Sequence, residues 1–123
     1  MHRILIADDE SNIRNVLEFS LQAEGLDVIE AASGDEALKL ATAELPDLVI
    51  LDVMMPGMGG VEVCRLLKAD PRTARIPVVL LTARTQSEDR RAGLAAGAER
   101  YITKPFSPHK VVSVVAELLG VAR

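Results

Sequence analysis

Apolar residues in this chain fall in short continuous runs separated by longer amphipathic stretches. Ile4-Leu5-Ile6-Ala7 runs straight into Asp8-Asp9-Glu10, so it reads as a buried strand ending in an acidic loop. From Ser11 to about Glu24, Ile13, Leu17 and Leu21 recur at helical spacing, and Gly25 supplies the stop. Val28-Ile29 is a second, weaker strand that ends before Ala31. Ala37, Leu38 and Ala41 mark a helix that stops before Pro46, and Leu48-Val49-Ile50-Leu51 is a buried strand closed by Asp52.

The second half keeps this rhythm. Met54-Met55-Pro56-Gly57-Met58-Gly59-Gly60 is a loop by its Pro and Gly density. Val63, Leu66 and Leu67 carry the next helix, which Asp70-Pro71 ends. Pro77 opens the strand Val78-Val79-Leu80-Leu81, with Thr82 at its end. Gln86 to Ala96 reads as an Ala-rich helix stopped by Gly97, and Tyr101-Ile102 as a short strand before Lys104-Pro105. Ser107 caps a last helix, with Pro108 at its first position and Val111, Val115 and Leu118 on one face. Five strands alternating with five helices make an α/β fold whose parallel sheet is covered on both faces. Right-handed crossovers favour the doubly wound, flavodoxin-like order 2-1-3-4-5.

Composition narrows the function. The 123 residues suit one domain spanning 1–123, and 49% hydrophobic residues exclude a disordered chain. Fourteen Lys+Arg against eighteen Asp+Glu give −4, the wrong sign for a direct nucleic-acid surface. With only Phe19, Tyr101 and Phe106 as aromatics, there is no stacking platform for single strands. The mixed-sign stretch Arg84 to Arg91 reads as a solvated helix start. Cys64 is the single cysteine, so an intramolecular disulfide is excluded, and a cytoplasmic location is expected. No run approaches a membrane span or a signal-peptide core. His2 and His109 lack ligand spacing, and Cys64 and the methionines read as packing residues.

In such sheets ligands bind beyond the carboxyl ends of the strands, at the switch in strand order. Asp8-Asp9, Asp52, Thr82 and Lys104 all fall there, although none of these segments is near another in sequence. An aspartate could merely cap the first helix, and Asp is common in turns. Three carboxylates gathered within ~6 Å, however, would repel by roughly 3 kcal/mol per pair at an effective dielectric near 20. A cation offsets that, and an all-oxygen donor set suits Mg²⁺, which bridges phosphate oxygens. A phosphoryl group on Asp52 then needs a cation and a hydroxyl donor opposite the metal, which Lys104 and Thr82 can supply.

Ile6-Ala7-Asp8-Asp9-Glu10, Leu51-Asp52-Val53-Met54-Met55-Pro56-Gly57-Met58-Gly59-Gly60, Leu81-Thr82-Ala83 and Tyr101-Ile102-Thr103-Lys104-Pro105-Phe106 together resemble the receiver domain of two-component response regulators. The resemblance spans nearly the whole chain. It implies that Asp9 and Asp52 ligate Mg²⁺ directly, that Asp8 acts mostly through water, and that the Met54 carbonyl is a further ligand. It makes Asp52 the acceptor of a phosphoryl group from a sensor histidine kinase or phosphotransfer protein. Thr82, Lys104 and the Ala83 backbone would bind the phosphoryl oxygens, and Lys104-Pro105 would be cis. Thr82 and Tyr101 would form a switch pair that reshapes the face from roughly Gln86 to Leu119. Met54 and Arg84 would flank the path of the hydrolytic water. Met54 offers no hydrogen bond and apolar cover, and Arg84 cannot act as a base, so slow self-dephosphorylation is expected.

Two other classes are weighed. A Mg²⁺-dependent phosphatase of the haloacid-dehalogenase type places a second Asp two residues past its nucleophile, where this chain has Met54. A flavodoxin binds flavin phosphate after its first strand, where Asp8-Asp9-Glu10 would repel it. The last helix is expected to end near Leu119, leaving no room here for an effector domain. The chain therefore reads as a stand-alone regulator acting on a target protein or as one domain of a longer protein, and a phosphorylation-dependent dimer is compatible with either.

Overall fold

The computed structural model describes residues 2–83 and 87–121. Five strands alternate with five helices: β1 (Arg3–Ala7), α1 (Ser11–Gln22), β2 (Asp27–Ala31), α2 (Gly34–Glu44), β3 (Leu48–Asp52), α3 (Gly60–Ala69), β4 (Val78–Thr82), α4 (Ser87–Ala95), β5 (Arg100–Thr103) and α5 (Pro108–Leu119). The strands form one parallel sheet in the expected order, β2-β1-β3-β4-β5.

Every residue of β3 and β4 is buried. That is why their sequences are continuous apolar runs without alternation, as in sheets covered on both faces. Successive side chains still point to opposite sides. Leu5, Ala7, Val49, Leu51, Val78 and Leu80 join Ala37 and Ala41 of α2 and Val63, Cys64 and Leu67 of α3 in one core layer. Ile4, Ile6, Leu48, Ile50, Val79 and Leu81 join Leu17 and Leu21 of α1 and Val111 and Val115 of α5 in the other. Cys64 is fully buried, and burial pushes its thiol up to about 11, which fits packing and not chemistry. Among the described residues no helix is long and apolar enough to cross a membrane.

The boundaries depart from the sequence reading at a few points. Helix α1 ends at Gln22, two residues early. Its last turn closes through Leu26 N–H on the Leu21 carbonyl, and Gly25 takes φ +82° to allow it. Strand β2 runs from Asp27 to Ala31 because β1 pairs with it from Arg3↔Asp27 to Ala7↔Ala31, carrying polar Asp27 and Glu30 into the ladder. Backbone pairing overrides their low strand propensity. Strand β5 likewise gains Arg100 and Thr103. Helix α4 is described only from Ser87, so Gln86 lies outside the described residues. Neither acidic residue caps α1 with its side chain: Glu10 is at the cap without a side-chain bond. Ser107 caps α5 as expected, its hydroxyl accepting from Lys110 N–H at 3.1 Å, and Lys104-Pro105 is cis.

Gly60 begins α3 where it crosses the end of β3, and a Cβ there would lie 2.2 Å from the Asp52 carbonyl oxygen. Gly60→Ala must therefore push α3 off the sheet, at a cost of about 1–3 kcal/mol. We expect a clear fall in its urea midpoint and shifted amide resonances from Asp52 to Met54; an unchanged midpoint would contradict this packing.

Candidate functional site

The sheet delivers its chemistry to one edge. Asp8 follows β1 directly, Asp52 ends β3, Thr82 ends β4 and Lys104 follows β5. Asp8, Asp52 and Thr82 are as buried as core residues, whereas Asp9 and Glu10 are exposed. Main-chain bonds continue the ladder just beyond the strands. Asp8 N–H donates to Ala31 O, Val53 N–H to Leu81 O and Lys104 N–H to Thr82 O.

Lys104 Nζ is the centre of the charge arrangement. It lies 3.0 Å from Asp8 Oδ2, 3.3 Å from Asp52 Oδ2 and 3.7 Å from Glu10 Oε1. Burial works against the ammonium charge, but Asp8 and Asp52 outweigh it and hold its pKa above the usual value. Asp52 shows the opposite outcome of the same contest. Burial first, then the Asp8 charge, raise it from 3.8 to about 6, against the pull of Lys104 and of the Met54 N–H bonded to its Oδ1 at 3.3 Å. At neutral pH Asp52 is thus mainly a carboxylate with a poorly neutralised charge.

The carboxylates of Asp8, Asp9 and Glu10 each offer an oxygen within 4.8 Å of one another. These hard donors fit a cation such as Mg²⁺. The set differs from the sequence expectation in two respects: Glu10, not singled out from the sequence, stands with the pair, and Asp52 is joined to Asp8 through Lys104.

Thr82 and Tyr101 share a face of the sheet. The register pairs Leu80 with Tyr101 and Thr82 with Thr103, and Tyr101 packs on the core layer that contains Leu80. Tyr101 also borders Gly93 of α4, its Cδ2 3.7 Å from where a Cβ would be. Met54 is the exposed methionine of its loop (71%), while Met55 and Met58 pack against the core. Ala83 lines a groove of about 540 Å³ with Glu10, Ile13, Lys104 and Phe106. Arg84 lies outside the described residues. Arg14 also reaches the site, donating to the Asp8 main-chain carbonyl, and Glu30 accepts from the same guanidinium. A lone Arg on a helix carries no local signal of this; only the strand order puts Glu30 beside it.

The response regulator receiver domain family matches residues 4–116. The chain is 44% identical over 117 residues to the alkaline phosphatase synthesis transcriptional regulatory protein PhoP of Bacillus subtilis, covering 95% of this chain and 48% of that protein. It spans about half the length of the curated relatives it matches. Among solved structures, the chemotaxis response regulator CheY4 of Vibrio cholerae superposes with a TM-score of 0.90 at 33% identity, covering 96% of this chain and 98% of that one. The receiver domain of sensor histidine kinase PA1611 of Pseudomonas aeruginosa, with a magnesium ion coordinated in its active site cleft, gives 0.89 at 28% identity over 97% and 98%.

The raised Asp52 pKa has a measurable consequence. The native state holds this proton more tightly than the unfolded chain, so Asp52 favours folding at low pH. That contribution is lost as pH rises from the unfolded value of 3.8 through about 6. Asp52→Asn removes it. One pKa unit is ~1.4 kcal/mol, and solvent screening leaves ~1–2 kcal/mol of the total. In EDTA at pH 7 we expect Asp52→Asn to be the more stable protein by that amount, with the gap closing toward pH 4. Parallel urea curves at both pH values would contradict the assignment.

Proposed function

Because this chain belongs to the response regulator receiver domain family, we propose that it is a phosphorylation-activated signalling switch whose acceptor is Asp52. The observation that carries this is the Lys104 ammonium bound to both Asp8 and Asp52 at the carboxyl edge of the sheet. On this reading an Asp52 carboxylate oxygen attacks the phosphorus of a phosphohistidine on a sensor histidine kinase or phosphotransfer protein. The P–N bond breaks with its electron pair passing to the imidazole nitrogen, and an acyl phosphate P–O bond forms. Asp8, Asp9 and Asp52, with the Met54 carbonyl, would hold Mg²⁺, and Glu10 stands close enough to share the task. When bound, the metal would neutralise charge on the transferring phosphoryl oxygens.

The chain's own residues do the rest. Burial keeps water from the Asp52 carboxylate and weakens the competing solvation of its charge. Lys104, already charged and already anchored to Asp8, meets the incoming phosphoryl oxygens without reorganising. The Thr82 hydroxyl and the Ala83 N–H are the remaining donors. Thr82 and Tyr101, on one face of the sheet, would carry the change to α4, β5 and α5 by biasing a pre-existing equilibrium. Self-phosphorylation from small donors and slow self-dephosphorylation complete the reading, and the chain works in the cytoplasm on a downstream protein or effector domain. The haloacid-dehalogenase alternative is not favoured, because Met54 stands where that chemistry needs a carboxylic acid.

Incubation with Mg²⁺ and acetyl phosphate is expected to add a single base-labile phosphoryl group, detected by intact mass. Asp52→Asn should remain unmodified; equal labelling of the two proteins refutes the acceptor. Lifetime depends on the residues flanking the acceptor. An exposed Met54 cannot orient a hydrolytic water, and Arg84 cannot deprotonate one, so the acyl phosphate should last minutes or longer. The pair Met54→Asn with Arg84→Glu should shorten it by on the order of tenfold, about 1.4 kcal/mol of barrier. No change in the decay rate would remove these positions from control of the reaction.

A further inference from the structure

Arg14 stands behind the acidic loop. It lies near the start of α1 with its side chain 19% exposed, and its guanidinium makes two divergent bonds. Nη1 donates to the main-chain carbonyl of Asp8 at 2.6 Å, and Nε donates to Glu30 Oε1 at 3.1 Å. Glu30 comes from β2, so one side chain ties α1 and β2 to the point where β1 leaves the sheet.

The rest of Asp8 shows why that tie matters. Its N–H donates to Ala31 O at 3.1 Å, its Oδ1 accepts from Glu10 N–H at 2.9 Å, and its Oδ2 binds Lys104 at 3.0 Å. All four polar atoms of Asp8 are therefore held, and the carbonyl is held by Arg14 alone among these contacts. That peptide joins Asp8 to Asp9, so its rotation would swing Asp9 and Glu10 away from the common point their carboxylates now share. The charge of Arg14 is not its contribution, because a cation beside a metal site repels the metal. Glu30 offsets that charge while orienting the fork.

We infer that Arg14 is a positioning residue for the divalent-cation site, fixing the Asp8–Asp9 peptide through a guanidinium that Glu30 holds in place. The inference rests on the Mg²⁺-dependent reading above and deepens it. Lysine keeps the charge but cannot make two divergent planar bonds, so Arg14→Lys separates geometry from electrostatics. The double variant Arg14→Met with Glu30→Met removes the pair without changing net charge, and serves if the lysine variant folds poorly. Calorimetric titration with Mg²⁺ alone should show binding weakened about tenfold in both, within the range for lost outer-sphere partners. In EDTA the amide resonances of Asp8, Asp9 and Glu10 should move in both. A merely structural role would lower the urea midpoint and leave Mg²⁺ affinity untouched. Affinities within about twofold of wild type in both variants, with unmoved loop amides, overturn the assignment. If wild type itself binds no Mg²⁺, the functional reading fails, and the EDTA spectra then decide whether Arg14 sets the loop.

Discussion

A single ammonium facing two buried carboxylates is the constraint on which the rest of this structure depends. Lys104 and Asp8 are 96 residues apart in sequence, yet their charged atoms are 3.0 Å apart. Asp52 shares the same ammonium at 3.3 Å. One positive charge cannot neutralise two buried negative ones, and Asp9 and Glu10 add two more at the rim. Burial first, and then the charge of Asp8, keep the Asp52 pKa at about 6 even with Lys104 beside it. Such a site is short of positive charge by construction. A divalent cation would reduce the deficit, and the phosphoryl group proposed for Asp52 would make the need for one greater.

Holding that deficit requires a frame that does not yield to repulsion. The frame is the sheet, whose strands β3 and β4 bury every residue they have. The ladder does not stop at the last strand residue. Ala31, Leu81 and Thr82 accept main-chain bonds from Asp8, Val53 and Lys104, so the charged residues stand on backbone that is still hydrogen-bonded. Gly60 contributes from the other side by letting α3 start against the Asp52 carbonyl, where any side chain would collide. Charge repulsion is thus opposed by core packing and by main-chain bonds, two sources that a change at the site does not directly weaken.

Most of this frame was legible in the sequence because buried parallel strands write themselves as unbroken apolar runs. Ile4 to Ala7, Leu48 to Leu51 and Val78 to Leu81 each run into a candidate site residue (Asp8, Asp52 and Thr82), and the strand order then brings those ends together. What the sequence hid was lateral. Asp27 and Glu30 belong to β2 only because β1 pairs with them, and residue propensity argued the other way. Glu10 read as part of an acidic loop with no role of its own, yet its carboxylate joins the acidic group. Arg14 resembles any surface arginine of an amphipathic helix until β2 is placed beside α1. Local pattern reports which residues are buried in the sheet, and it is silent on which surface side chains meet across two elements.

The two ends of the sheet are held by different means, and the difference bears on how the domain can move. At the end away from the site, Lys68 Nζ binds the carbonyls of Ala74 and Ile76 and the carboxylate of Glu99, at 3.2, 2.8 and 2.9 Å. The other oxygen of Glu99 accepts the Val78 N–H at 2.7 Å, so the starts of β4 and β5 are locked to the end of α3. The stem of Lys68 also packs against Gly97, where a Cβ would come within 2.9 Å. At the functional end the corresponding ties are ion pairs to a lysine whose partners change if Asp52 is modified. A change of charge at Asp52 touches neither those carbonyls nor Glu99, whereas it falls directly on the Lys104 pairs. A perturbation at Asp52 therefore meets a fixed base and a responsive rim, and Thr82 and Tyr101 lie on the strands that connect the two.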